Sequence, residues 1–474
     1  MDAAITPDSN TVLNSIRERL ALSVPAGWRL TTLGECFKWS SGGTPRRTDP
    51  TYFGGSIPWA VIGDLNDGVI NETQSSITQA GLQNSSAKWV EPGSVLVAMY
   101  GSIGKLAIAG RRLTTNQAIA FTKPDPVDPK YLYYYLFWQR PSLARLGKGA
   151  TQLNISQTVL KEFPFVLAPP DEQHCIVAEI EKQFSRLDEA VTNLKRAKAN
   201  LNRYTVSVLN AAAEGRLVPT DAEITRERKQ EFLSGAGLLA DVLQLRREKW
   251  AGRGKYKEPA PVTESVAASV PEGWTVATLN QLTTQIADVD HKMPSAVDFG
   301  IPYISTKDFT DDDAIDFDGA KRISSEDFEA LSRKVRPARG DILLSRYGTV
   351  GQVRAVETDI PFQASYSVAI IKPVRGFDLA DYLKIVLQSD AVRAQIKRDV
   401  RATAQPDLGL AHIREFVVPI PPASEQRRIV AEVDRRLSIV REVEAEVDAN
   451  LQRAQALRQA VLARAFADPG ESGQ

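Results

Sequence analysis

The feature that most constrains this chain is an internal duplication. The segment Pro-Ala-Gly-Trp at Pro25–Trp28 returns as Pro-Glu-Gly-Trp at Pro271–Trp274. Further segments return in the same order about 250 residues later, which is far longer than the ~20–50 residues of a solenoid unit. The matching segments are Ile57–Trp59 with Ile301–Tyr303, Tyr100–Gly104 with Tyr347–Gly351, Glu172-Gln173 with Glu425-Gln426, and Ile176–Glu179 with Ile429–Glu432. The chain therefore contains two copies of a whole module.

Composition excludes several classes of protein. The 58 Lys and Arg residues balance the 58 Asp and Glu residues, so this is not a uniformly basic nucleic-acid-binding chain. No apolar stretch approaches the ~18 residues of a membrane span, and the N-terminus lacks a signal-like segment, so we expect a soluble, cytoplasmic protein. Two cysteines and three scattered histidines cannot form a disulfide framework or a zinc cluster.

Each copy changes its hydrophobic period partway. Short apolar runs separated by Gly, Pro, Asn and Asp predict strands with a few helices, whereas the residues after each Pro-Pro pair follow a helical period. The pattern predicts an α/β (α+β) tandem duplication with two globular domains separated by two long helices. The predicted parts are a helical segment 1–24, domain 1 at 25–170, a long helix 171–216, a linker with a charged helix 217–270, domain 2 at 271–422, a long helix 423–467 and a tail 468–474.

Both long helices carry a single narrow apolar stripe. A stripe of this kind can pack on its own domain, but it is more typical of a helix that pairs with another helix. The duplication supplies such a partner, so we predict an antiparallel coiled coil between the two copies. The residues assigned to its seam are Ile176, Ile180, Phe184, Leu187, Val191, Leu194, Leu201, Ile429, Val433, Leu437, Val440, Val447 and Val461.

Catalytic motifs are missing from the sequence. The nearest candidate for a phosphate-binding loop, Gly147-Lys148, lacks the first glycine and the following Ser or Thr. The Gly-x-x-Gly segments at Gly101–Gly104 and Gly348–Gly351 precede strand-like sequence, which favours hairpin turns over a dinucleotide or methyl-donor loop. No nucleophile–base pair is indicated. We therefore expect no cofactor and no metal in this chain.

Basic residues cluster in or beside turns of both domains. Domain 1 has 14 Lys and Arg against 9 Asp and Glu, and domain 2 has 18 against 22, so domain charge alone identifies no partner. Local clusters suit phosphate contacts, and Asn or Gln side chains can read bases, although solvated loops are an alternative for each cluster. The candidate DNA-binding residues are Arg46, Arg47, Lys105, Arg111, Arg112, Asn116, Gln117, Lys307, Arg346, Arg354 and Gln363.

Taken in order and twice over, these motifs resemble the specificity (S) subunit of Type I restriction-modification enzymes. The resemblance covers essentially the whole chain. It depends on the Pro-x-Gly-Trp starts, the Gly-x-x-Gly turns and the Glu-Gln-x-x-Ile-Val-Ala-Glu helix starts. It also includes two single segments, Ser41–Pro45 (Ser-Gly-Gly-Thr-Pro) and Asn210–Leu217.

The resemblance implies two target-recognition domains, each of which reads one half of a split site in double-stranded DNA. It implies that the helices set the spacing and dock two modification (methyltransferase) subunits, and that restriction (translocase and nuclease) subunits complete the complex. This chain would then not be an enzyme, and S-adenosylmethionine, ATP and Mg²⁺ would act in the partner subunits. Two departures, Ala287–Asp290 in place of Gly-Gly-Thr-Pro and Gln352 in place of Lys105, imply that the two domains read different bases.

Two hypotheses of other classes remain. A scaffold or adaptor would use the helices for protein partners and the domains for peptides, and it would show no salt-dependent DNA binding. A self-contained nuclease or methyltransferase would act without added subunits. The missing catalytic motifs count against the second hypothesis.

Overall fold

The computed structural model describes most of the chain, in two compact units. The described residues are 9–21, 23–123, 127–148, 153–228, 233–250, 254–262, 270–291, 293–310, 313–401 and 406–467. The predicted tail 468–474 and parts of the predicted linker lie outside this set. Unit 1 comprises Met1–Lys195 with Asp448–Gln474, and unit 2 comprises Arg196–Val447. Each long helix therefore contributes one half to each unit.

Unit 1 contains the first α/β domain and a preceding short helix. Its helices are α1 Ser9–Ala21, α2 Leu33–Cys36, α3 Gln79–Gln83, α4 Pro129–Ala144, α5 Gln157–Glu162 and the first half of α6 Pro170–Ala213. Its strands are β1 Arg29–Thr32, β2 Trp39–Ser41, β3 Phe53–Ala60, β4 Gly68–Ile70, β5 Ser75–Ile77, β6 Trp89–Val90, β7 Val95–Ala98, β8 Leu106–Ala109, β9 Leu113–Thr115, β10 Ile119–Thr122 and β11 Pro164–Leu167.

These strands form three sheets. A five-stranded sheet has the order β2-β10-β7-β8-β4, a four-stranded sheet has the order β5-β3-β9-β6, and β1 pairs with β11. The β7 and β10 side chains are buried on both faces, because the sheet is covered on both sides. An aromatic core beside it joins Tyr131 and Tyr135 of α4 with Phe165 of β11. Phe466, near the end of the second long helix, packs into this same core.

Unit 2 repeats this order with local differences. Its helices are α7 Asp221–Arg228, α8 Gly235–Glu248, α9 Ser325–Ser332, α10 Leu379–Leu387, α11 Asp390–Asp399, α12 Leu410–Glu415 and the first half of α13 Ala423–Ala467. Its strands are β12 Thr275–Thr278, β13 Thr283–Ala287, β14 Ile301–Ile304, β15 Lys321–Ile323, β16 Ile342–Ser345, β17 Val353–Ala355, β18 Gln363–Ala364, β19 Val368–Pro373 and β20 Val417–Ile420.

The sheets of unit 2 have the orders β13-β19-β16-β17, β15-β14-β18 and β12-β20. These orders match those of unit 1 strand for strand, apart from the absence of counterparts to β4 and β6 among the described residues. The duplication seen in the sequence is therefore a duplication of fold. The predicted α/β tandem duplication with two long helices is confirmed.

Two sequence-based helix predictions need correction. The sequence pattern of residues 379–398 predicts one helix, but α10 ends at Leu387 and α11 begins at Asp390. The Ser389 hydroxyl donates to the Val386 carbonyl at the break, and such local bonds compete with helix continuation. Within the predicted linker, the charged sequence from 226 to 250 predicts one helix, but the structure has two, because α7 starts at Asp221 and Ser234 caps the start of α8.

Within each unit the two long helices run antiparallel. In unit 1, Arg458 of α13 bonds to Asp188 of α6 and lies over the Phe184 ring. Phe466, which comes later in α13, shares a core with Ile180, which comes earlier in α6, so the two helices run in opposite directions. In unit 2, the later α6 residues and the earlier α13 residues share one hydrophobic cluster. No described helix is long and apolar enough to cross a membrane.

Burial along α13 follows the predicted seam. Val433, Val440 and Val447 are buried at seven-residue intervals, as helix pairing requires. Among the other assigned residues, Ile180 and Ile429 are buried and the rest are half-buried. Those half-buried residues are Ile176, Phe184, Leu187, Val191, Leu194, Leu201, Leu437 and Val461.

Candidate functional site

The candidate site of each domain lies where two parallel strands end. In unit 1, β3 and β9 are parallel, and the Asn116 N–H after β9 donates to the Ala60 carbonyl at 3.1 Å. In unit 2, β14 and β18 are parallel, and the Ser365 N–H donates to the Ile304 carbonyl at 2.7 Å. Asn116 and Ser365 are therefore equivalent positions. The residues that follow them open the same loop in each domain.

An echoed aspartate holds the neighbouring turn in both copies. The Asp64 carboxylate accepts the Val61 N–H at 2.8 Å, and the Asp308 carboxylate accepts the Ser305 N–H at 2.6 Å. Each aspartate thus caps a 3₁₀ turn directly after β3 or β14. Lys307 lies exposed in the second of these turns. The aspartates therefore shape the backbone, and their oxygens are engaged within the protein.

The Gly-x-x-Gly segments form hairpin turns, as predicted. They connect β7 to β8 and β16 to β17, which are antiparallel pairs. Gly101 and Gly104 have φ of 63° and 77°, and Gly348 and Gly351 have φ of 71° and 94°. Side chains other than glycine rarely adopt these angles, so the glycines set the shape of the turn. The dinucleotide or methyl-donor loop is thereby ruled out for these segments.

In domain 1 the Gly-Gly-Thr-Pro segment packs against the loop after β9. The Gly43 N–H donates to the Thr115 carbonyl at 2.9 Å, and the Thr44 hydroxyl donates to the Gln117 side-chain oxygen at 2.5 Å. A Cβ on Gly42 would lie only 2.0 Å from the Thr115 carbonyl oxygen, so this approach requires glycine. The segment that leads to Arg46 is therefore anchored beside Gln117.

The predicted cations of domain 1 fall into two groups. Arg46, Arg47 and Arg111 are exposed, and none of them has a side-chain bond within the described part of the chain. Arg112 is exposed as well, but it bonds to Glu91 at 3.0 Å and lies 4.3 Å from the centre of the Trp89 ring. The half-buried Lys105 donates from its amine to the Ile62 carbonyl at 3.4 Å. Asn116, a predicted base reader, is also half-buried, and its side-chain oxygen accepts the Ala118 N–H.

Three candidates of domain 2 are instead buried and bonded within the protein. Arg346 donates to Asp288 at 2.8 Å and to Asp407 at 3.2 Å, because the chain wraps both carboxylates around its guanidinium. Arg354 donates to Asp313 and to backbone carbonyls. Gln363 donates to the Ser332 hydroxyl and the Val335 carbonyl. Because the donor groups of these three side chains are engaged within the protein, we reassign them from DNA contact to support of the domain.

An aromatic cluster that the sequence analysis missed lies beside Arg346. The His291 ring stacks on Tyr366 with centres 4.7 Å apart, and Tyr347 meets Tyr366 edge-on at 5.6 Å. The Arg346 guanidinium lies 4.4 Å from the centre of the Tyr347 ring. Sequence reasoning treated His291 as an isolated histidine. The repetition of Tyr100 as Tyr347, each at the start of a Gly-x-x-Gly segment, was the sequence signal that could have indicated this site.

No group of three or more His, Cys, Asp or Glu residues that could hold a metal ion occurs in the described ranges. Both domains present the ends of a parallel strand pair with polar, cationic or aromatic side chains beside them. Such an arrangement suits contact with a large polar partner.

The chain is similar to known proteins over most of its length. A family model described as "Type I restriction modification DNA specificity domain" matches residues 25–203 and 271–448. The EcoBI specificity subunit from Escherichia coli is 23% identical over 384 residues, which cover 80% of this chain and 74% of that protein. The EcoDI specificity subunit, also from Escherichia coli, is 21% identical over 443 residues, covering 94% and 88%.

The fold also has a solved counterpart. A chain from a structural study of complex assembly and conformational transition in a type I R-M system aligns with a TM-score of 0.63 at 16% identity. The alignment covers 94% of this chain and 99% of that chain. The whole order of domains and long helices is therefore shared with that chain.

Proposed function

Because this chain belongs to the type I restriction-modification DNA specificity family, we propose that it is the sequence-recognition subunit of such a complex. Each α/β domain reads one half of an asymmetric, bipartite site in double-stranded DNA. The paired long helices set the distance between the half-sites and dock two methyltransferase subunits, to which restriction subunits add. The complex acts in the cytoplasm, where its DNA substrate lies.

One observation carries this proposal. The two domains share a backbone frame at the ends of their parallel strands, yet they expose different side chains there. In domain 1 the frame carries Gln117, Thr44 and nearby arginines, whereas in domain 2 it carries Tyr366 and His291. Two half-sites of different sequence require a common scaffold with different exposed side chains. Side chains read the edges of the bases, whereas contacts to the DNA backbone position the protein.

We propose further that this chain is not catalytic. S-adenosylmethionine, ATP and Mg²⁺ would act in the modification and restriction subunits. Family membership supports this assignment, as does the lack of a phosphate-binding or methyl-donor loop in the sequence. A scaffold that binds peptides would share the helix pair, but it would not need two exposed reading surfaces of different chemistry.

The experiment is a domain exchange read by methylome sequencing. The chain is produced with the methyltransferase subunit encoded beside it, and the methylated sites are mapped in DNA from those cells. Replacing residues 271–422 with the corresponding domain of another family member should change one half of the site and leave the other half and the spacing intact. The matched exchange of residues 25–170 should change the opposite half.

Three outcomes would contradict the proposed roles. An exchange that altered both halves together would mean that the domains do not read independently. A stable complex with the methyltransferase that produced no sequence-specific methylation would favour the adaptor hypothesis. Methyl transfer by the purified chain alone, abolished by a substitution in this chain, would refute the non-catalytic assignment.

A further inference from the structure

The aromatic cluster of domain 2 occupies the place where domain 1 presents its Gln117 loop. Tyr366 follows Ser365 as Gln117 follows Asn116, and the two loops begin with equivalent backbone hydrogen bonds. Tyr347 likewise corresponds to Tyr100, since each opens a Gly-x-x-Gly turn and forms an isolated bridge to the chain beyond. The frame is common to both copies. The exposed chemistry differs.

This cluster is open to solvent although its rings are ordered by contact. The His291 side chain is 62% exposed, and Tyr347 and Tyr366 are half-buried. The three rings touch one another, with His291 meeting Tyr347 edge-on at 5.9 Å. Aromatic side chains held in this way lose little conformational entropy when a partner binds, so they make effective contact groups.

An ion-pair network centred on the buried Asp288 and Arg346 supports the cluster, and its outer members Lys334 and Asp290 are exposed. Asp288, 6% exposed in its side chain, binds Arg346 at 2.8 Å and Lys334 at 3.2 Å. Asp407 binds Arg346 and Asp290 binds Lys334. Three carboxylates thus face two cations, which makes the place a poor site for phosphate. The neighbouring rings are therefore better suited to the edges of bases than to the DNA backbone.

We propose that His291, Tyr347 and Tyr366 are specificity-determining residues of domain 2, which contact base edges in the major groove of double-stranded DNA. This inference rests on the proposed function. The imidazole and the Tyr366 hydroxyl supply hydrogen-bonding groups, and the ring edges supply apolar contact of the kind that suits a thymine methyl group. Arg346 and Asp288 are positioning residues, because they hold the Tyr347 ring and the start of the His291 segment.

The test uses the complex of this chain with its methyltransferase subunit and duplexes carrying the methylated site found in cells. Binding is measured to that duplex and to duplexes with single base-pair changes in each half. For the variant His291→Ala with Tyr366→Ala, discrimination should fall by about tenfold or more at base pairs of one half-site. Discrimination in the other half should stay at the wild-type level.

Two further variants keep the test sharp. Tyr366→Gln imports the residue of domain 1 at a half-buried position of the equivalent loop, and it should also shift preference in the same half-site. Thr44→Ala with Gln117→Ala changes the matched loop of domain 1 and should affect only the opposite half. Thermal melting of each purified chain checks that the fold is intact.

The outcomes separate this inference from the function on which it rests. A folded Tyr366→Gln or double-alanine variant that kept wild-type discrimination in both halves would overturn the role of the cluster while leaving DNA recognition in place. A wild-type complex with no sequence preference would refute the proposed function itself, and the cluster's role with it. Loss of discrimination in both halves equally would point to a general weakening and would also overturn the assignment.

Discussion

The two copies of the module place different chemistry on the same frame. At the position of Arg346 in domain 2, domain 1 has the buried Met99, and each residue's N–H donates to an equivalent carbonyl. Asp288 and Asp407 correspond by strand register and bridge position to Ser41 and Asn154. An ion-pair network has thus been exchanged for neutral side chains without a change of backbone topology.

This difference shows which features of the module are architectural. The strand order, the positive-φ glycines and the capping aspartates occur in both copies because the backbone path demands them. The side chains exposed beside that path differ, because nothing in the path selects them. Differences between the copies therefore point to recognition, and similarities point to folding.

The largest effect is expected from breaking the network of domain 2. Arg346→Met imports the residue of domain 1 but leaves the buried Asp288 carboxylate with Lys334 alone, which should cost about 3 kcal/mol of unfolding free energy, the lower end for a broken buried pair. Adding Asp288→Ser and Asp407→Asn completes the domain 1 set and should recover most of that loss. Urea denaturation of the full chain measures both. A single variant as stable as the wild type would show that Arg346 is dispensable to the frame.

A smaller effect should separate the two hairpin turns. Gly104→Ala places a side chain at a φ of 77° and brings its Cβ to 3.1 Å from the Arg140 side chain, which itself donates to the Gly104 carbonyl. We expect a loss of about 1–2 kcal/mol from the left-handed backbone conformation, plus displacement of Arg140. Gly351→Ala meets Ile396 at a looser 3.4 Å. Equal losses in thermal denaturation would contradict the tighter packing of the first turn.

A third comparison concerns one glutamate in each copy. Glu172 accepts the Trp28 indole N–H and is exposed, whereas Glu425 accepts the Trp274 indole N–H and is fully buried. Burial raises the pKa of Glu425, and the charge of Asp221 acts in the same direction.

The folded protein should therefore lose stability as pH rises through the folded pKa of Glu425. The contribution of Glu425 to stability is fully present below the unfolded pKa of 4.5 and is lost as pH rises through its higher folded pKa. Glu425→Gln should remove this decline from the pH profile of the unfolding free energy, and Glu172→Gln is the matched control that should leave it in place. A profile unchanged by Glu425→Gln would mean that another group causes the decline.

The smallest effect is expected for single exposed cations of domain 1. Arg111 has no bonded partner within the described residues, whereas Arg112 is held by Glu91 and Trp89. If Arg111 contacts a phosphate, Arg111→Ala should reduce the slope of log affinity against log salt by about one, with the preferred sequence unchanged. Arg112→Ala should reduce it less. Slopes that match the wild type in both variants would identify both arginines as solvated loop residues.

The fold was largely predictable from the sequence. Duplicated segments, the change of hydrophobic period after each Pro-Pro pair and the seven-residue spacing of Val433, Val440 and Val447 are all written along the chain. Each depends on local geometry or on repetition, which a single sequence displays. The Gly-x-x-Gly hairpins were predictable for the same reason.

The candidate surface was only partly predictable, because exposure is decided by distant parts of the chain. Arg46 and Arg346 look alike in sequence, but the fold leaves the first in solvent and surrounds the second with Asp288 and Asp407. The rings of His291, Tyr347 and Tyr366 come from three separate loops, which follow β13, β16 and β18, and the fold brings them into contact. The sequence by itself determined the repeat and its periodicity, which are local properties. Tertiary packing alone decided which charges are neutralised and which side chains meet, because burial and ion pairing depend on neighbours that the chain brings together from far apart.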